Sequence, residues 1–75
     1  MKNYLVTIKK NDAIVGQKIL DEHAALNLVR KTFAVVYEDT VADIKAMLVF
    51  SDIEKTGKAK VIEHNSGKMI VQKHK

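Results

Sequence analysis

The side chains that could do chemistry in this chain are few and scattered. His23, His64 and His74 are its only histidines, and Asp21–Glu22 and Glu38–Asp39 are its adjacent carboxylates. A histidine metal site needs ligands at short, fixed spacing, such as i and i+4 on a helix, converging with a carboxylate. No two of these histidines have that spacing. Cysteine is absent, which excludes disulfides and thiolate ligands. Both carboxylate pairs fall at expected helix boundaries, where capping and solvation account for them better than acid–base catalysis. Ser51 and Ser66 lie in no nucleophile motif. The stretch "NSGK", residues 65–68, has the end of a phosphate loop but not its first glycine or its strand-to-helix setting. The expectation is a protein that is not an enzyme, with no cofactor and no metal.

Charge is the other candidate. Residues 1–57 hold eight basic and eight acidic side chains, whereas residues 58–75 hold five lysines and one glutamate. The net charge of +4 therefore sits in the last segment. Clustered lysines supply counterion release on a polyanion. They also protect an edge strand from aggregation, which is the commoner use. Lysine outnumbers arginine twelve to one. That bias weighs against base-specific reading, because arginine carries the rigid fork that reads bases and phosphates. No aromatic residue lies in this segment to stack on bases.

These residues have to be positioned by a small set of elements. Seventy-five residues make one domain, 1–75, with a modest core. Hydrophobic residues are 47% of the chain, too many for disorder. "NYLVTIKK" alternates as a strand, Asn11 and Asp12 suit a tight turn, and "AIVGQKIL" is a second strand in which Gly16 marks either a bulge or a close packing point. Asp21 is an N-cap for a helix over about 22–37, in which Ala25, Leu26, Val29, Phe33 and Val36 form an apolar stripe that buries Leu26, Val29 and Phe33 against the sheet. The next stretch reads two ways. "MLVFSDI" is rich in strand formers and suggests a strand over about 46–53, while Val41, Ile44, Met47 and Leu48 fit a second helix over 41–50. "KAKVIEH" and "KMIVQKHK" flank a turn at Asn65-Ser66-Gly67 and form a hairpin. A three-residue loop there pairs Val61 with Val71 and Ile62 with Ile70. That register sets Lys58, Lys60, His64 and Lys68 on one face, and Val61, Met69 and Val71 on a face packed under the helix.

The fold class is therefore α+β, one mainly antiparallel sheet with a main helix on it, in the order β-β-α-β-β-β, with β-β-α-α-β-β as the alternative. No apolar run approaches the roughly 20 residues that cross a bilayer, and the N-terminal stretch has no signal-peptide core. The expected setting is the cytoplasm, without a membrane partner, and the composition is that of small bacterial or phage proteins. "AMLVFSDI" and "FAVVY" hold more large apolar side chains than one helix on a small sheet covers. This points to a regulatory interaction module that binds a protein partner, or to a homodimer formed through an uncovered sheet face or an edge strand. The competing expectation is weak, sequence-indifferent nucleic-acid binding through Lys58, Lys60, His64 and Lys68 of the basic hairpin.

Overall fold

A computed structural model describes residues 2–64 and 67–74, and the side chain of His64 lies outside that description. Its elements are strands β1 (Asn3–Lys10) and β2 (Ala13–Asp21), helices α1 (Glu22–Ala34) and α2 (Asp39–Thr56), and strands β3 (Lys60–His64) and β4 (Gly67–His74). The class is α+β, and the order is the alternative one, with two helices. The strand expected over 46–53 does not form; those residues lie inside α2. The reason is periodicity over a longer window than the strand-forming run. Ala42, Ala46, Phe50 and Ile53 recur at helical spacing and are all buried on one side. Gly57 ends the helix in the left-handed conformation, φ 70°, and its N–H donates to the Ile53 carbonyl at 2.8 Å. At the other end Glu38 precedes the first turn without a side-chain cap.

The first hairpin follows its local chemistry. Asn11 and Asp12 both adopt positive φ, 53° and 66°, which gives the turn a twist that matches the flanking strands. Pairing shifts between Ile8↔Gly16 and Lys9↔Ile14, so Val15 is the extra residue of a bulge beside Gly16. Asp21 caps α1 by accepting from the Ala24 N–H at 2.8 Å. The helix stops at Ala34 rather than near 37: the Val36 N–H tightens the last turn by donating to the Phe33 carbonyl three residues back, at 3.0 Å, and Val36, expected on the apolar stripe, is left exposed. It buries Ala25 and Val29 fully, while Leu26 and Phe33 pack against the core only partly buried.

The four strands form one antiparallel sheet in the order β2-β1-β4-β3. The first and last strands are thus interior neighbours, and both helices lie across one face. Tyr4 and Val6 of β1, Met69 and Val71 of β4 and Ile62 of β3 meet Ala46, Phe50 and Ile53 of α2 and Val29 of α1 in a single core.

The second hairpin corrects the expected register. His64 pairs with Gly67, Ile62 with Met69 and Val61 with Ile70. Only two residues separate the paired strands, and Asn65 and Ser66, which were expected to start a three-residue turn, lie outside the described residues. The one-residue slip turns β3 over, because side chains alternate between faces. Ile62 is buried and Val61 is 55% exposed, the reverse of the expected arrangement. The larger side chain takes the core position, and Lys60 beside it reaches Asp52 of α2 at 3.0 Å.

If Ile53, fully buried, anchors α2 to the sheet, Ile53→Ala will cost about 2–5 kcal/mol in chemical denaturation. In dilute, monomeric protein, Leu48→Ala, on the exposed side of the same helix, will cost less than about 0.5 kcal/mol. Equal losses for the two would mean that the inward face of α2 is wrongly assigned.

Candidate interaction face

α2 is apolar on two opposite sides. Its inner side is the core row Ala42, Ala46, Phe50 and Ile53. Half a turn away, Val41, Ile44, Met47 and Leu48 follow one another at three- and four-residue steps, with exposures of 39, 55, 63 and 58%. Val35, Val36 and Tyr37, in the turn before α2, are also exposed and extend the apolar surface to the corner of the molecule. Ile44, Met47, Leu48 and Ser51 line a shallow hollow of about 330 Å³. A helix on the surface of a monomer ordinarily carries one apolar stripe and a polar back. A contiguous exposed patch of large apolar side chains is the ordinary mark of a binding surface.

The orientation of α2 is set at its C-terminal half by Tyr4 of β1. The Tyr4 ring is 1% exposed and meets Phe50 edge to face, with centroids 4.9 Å apart. Its hydroxyl donates to Glu54 Oε1 at 2.6 Å. The other oxygen of Glu54 lies 3.4 Å from Lys73 Nζ and 3.6 Å from Lys2 Nζ. The Tyr4 hydrogen bond, with the two lysines behind it, holds the Glu54 carboxyl below its ordinary range. Burial, then the adjacent Glu54, push the Tyr4 phenol well above its ordinary value. Near neutral pH both groups therefore keep their usual forms, a carboxylate and a neutral phenol. Tyr4 and Glu54 also line a groove of about 300 Å³ with Glu22, Leu26, Met47, Phe50 and Ser51. Neither group is poised to exchange a proton near neutrality, so the pair acts as a clasp between strand and helix.

The lysines expected to form one basic strip are dispersed. Lys58 is exposed in the segment between α2 and β3. Lys60 sits on the helix side of the sheet, bound to Asp52. Lys68 pairs across the sheet with Lys9 on the opposite, open face and lies 3.7 Å from Glu63. The His64 backbone follows Glu63 in β3, opposite Gly67. Cross-strand partners share a face, so Lys60 and Lys68 look out on opposite sides of the sheet. His23 is exposed in the first turn of α1, and His74 is exposed at the far end of β4 from His64. Among the described residues no three histidine, aspartate or glutamate side chains come together as a metal site. Among the described residues no helix is long and apolar enough to cross a membrane.

A pH titration tests the clasp. A carboxyl with a depressed folded-state pKa contributes stability above its unfolded value, and loses it as pH falls through the folded value. The stability difference between the parent and Glu54→Gln will therefore be complete above pH 4.5, the ordinary glutamate value, and will shrink below it. A difference of the same size at pH 2 and pH 7 would show that Glu54 is not held in its charged form.

The outer face of α2 was visible in the sequence only as an excess. Val41, Ile44, Met47 and Leu48 have helical spacing, but the spacing alone does not say that a second row, at Ala42, Ala46, Phe50 and Ile53, takes the core. No family model matches the chain, and no curated protein or solved structure matches it significantly.

Proposed function

We propose that this protein is a non-enzymatic interaction module that acts by binding a protein partner through the outer face of α2 and the adjoining corner at Val35–Tyr37. The observation that carries the reading is the second apolar row on α2, at Val41, Ile44, Met47 and Leu48, presented by a helix whose other side is locked into the core. Each such side chain gains about 1.5–3 kcal/mol when fully buried relative to full exposure. A partner that covers the row therefore gains affinity without reordering the domain. An amphipathic surface laid along a helix is a common recognition mode. The Tyr4–Glu54 clasp and the Lys60–Asp52 pair keep the face in a fixed orientation.

Nucleic-acid binding has less support. It needs its lysines on one surface, and Lys60 and Lys68 are turned to opposite sides and each held by an acid.

A photo-reactive side chain at Leu48 will form a protein adduct in cells, lost when Ile44→Glu is added; the same group at Lys31 will form none. No adduct at Leu48, or one that survives Ile44→Glu, would end the reading. Titration with mixed-sequence duplex DNA in low salt distinguishes the competing reading. The parent will bind negligibly, and Lys58→Ala/Lys60→Ala/Lys68→Ala will change nothing. If instead the triple variant flattens the slope of log affinity against log salt by about 0.9 per lost contact, the lysines grip phosphate and that reading takes its place.

A further inference from the structure

The outer face of α2 resembles its own reverse. Its centre, from Thr40 to Ser51, presents Val41, Ile44, Met47 and Leu48, and the two charges within that stretch are turned to neighbours in the chain, Asp43 to Arg30 and Lys45 to the face of the Tyr37 ring, 4.6 Å from its centroid. The charges nearer the sheet are engaged within the chain. Asp43 meets Arg30 at 3.5 Å, Asp52 meets Lys60, and Glu54 meets Lys2 and Lys73. The charges at the two ends are not. Glu38 and Asp39 at the N-terminal end, and Lys55 and Lys58 at the C-terminal end, are exposed and make no ion pair among the described residues. One end is acidic and the other basic. The point halfway between Glu38 and Lys55 falls between Ile44 and Leu48, at the centre of the apolar row.

We infer that the occupant of this face is a second copy of the chain, with its own α2 running antiparallel across it; this rests on the face being the binding surface. A closed two-fold assembly requires one patch to match itself. An axis through the Ile44–Leu48 region does this. It lays the apolar row on its counterpart and sets Glu38 and Asp39 of each copy over Lys55 and Lys58 of the other, twice by symmetry. It also opposes the two helix dipoles. A different partner would have to bring an apolar strip with a basic end and an acidic end, whereas a second copy supplies both. The open face of the sheet makes a weaker contact surface. There Gln17, Gln72, Lys9 and Lys68 interrupt the apolar side chains, and the side chain of Gln17 donates to Thr7 at 2.9 Å.

Acid at the start and base at the end of a helix also suit its own dipole, so the test must separate the two effects. Sedimentation of the purified chain will show a mass moving from 8.4 kDa toward twice that value as concentration rises, and Leu48→Glu will hold it at the lower mass. Two charge variants follow, Lys55→Glu/Lys58→Glu and Glu38→Lys/Asp39→Lys. Each alone will dimerise about tenfold or more weakly than the parent, and their equimolar mixture will regain a heterodimer tighter than either homodimer. Mixing cannot repair a helix weakened within its own chain, so recovery reports contact between copies. Far-UV circular dichroism checks that both variants fold. If a variant does not, single substitutions Lys55→Glu and Glu38→Lys are mixed instead. A parent that stays at 8.4 kDa at millimolar concentration, or a mixture no tighter than its components, overturns the proposal. A Leu48 adduct with a different protein, beside a monomeric parent, would keep the binding face and remove only the second copy.

Discussion

The seating of Tyr4 under α2 is the contact on which the rest of the structure depends. Its ring fills the middle of the core and its hydroxyl reaches Glu54. Phe50 and Glu54 are one helical turn apart, so both meet Tyr4 only if that side of α2 faces the sheet. The rotation of the helix about its axis is thereby set. With Ala42, Ala46, Phe50 and Ile53 turned inward, Ile44, Met47 and Leu48 have no place to go but outward. The exposed apolar row is a consequence of the core.

The same contact ties the two ends of the chain together. β1 opens the fold and β4 closes it, yet they are central neighbours, and Tyr4 stands directly opposite Lys73. Glu54 gathers Tyr4, Lys2 and Lys73, so one carboxylate joins α2 to β1, to β4 and to the residue before β1. Each ion pair is partly exposed and contributes little alone. Their value lies in orientation, since a small domain has few buried side chains with which to fix a helix. The two strand hairpins are marginal by themselves, and they are joined through β1 and β4 under the two helices.

The division of charge is the other result of this packing. Summed along the chain, the basic excess lies wholly after residue 57. Summed in space, it is spread. Lys60 and Lys73 neutralise acids of α2, Lys68 faces Glu63 across the open face, and Lys58 stands at the end of the helix. A charge excess that is contiguous in sequence becomes a set of local pairs once alternation and pairing take effect. The lysines of the last hairpin thus serve the attachment of α2 more than they present a strip to solvent.

Local chemistry alone determined the first half of this protein. Asn11 and Asp12 tolerate positive φ, Gly16 accommodates a bulge, Asp21 offers an oxygen to an N-terminal N–H, and Val29 sits one turn from Ala25; each feature is decided within a few residues. The order of strand and helix patterns likewise indicated an α+β domain, and the apolar count pointed to surplus apolar side chains. The second half was decided by tertiary structure. Residues 46–53 suit a strand or a helix in isolation; the longer recurrence of Ala42, Ala46, Phe50 and Ile53 favours the helix, and the seat that Tyr4 offers to Phe50 and Glu54 decides which of its two apolar rows faces the sheet. The last hairpin could turn through two or three residues at similar local cost, and burial of Ile62 in place of Val61 settled it. That single step sent Lys60 toward α2 and left Lys68 on the open face. Register and rotation depend on which surfaces are already occupied, and no local stretch of sequence carries that information.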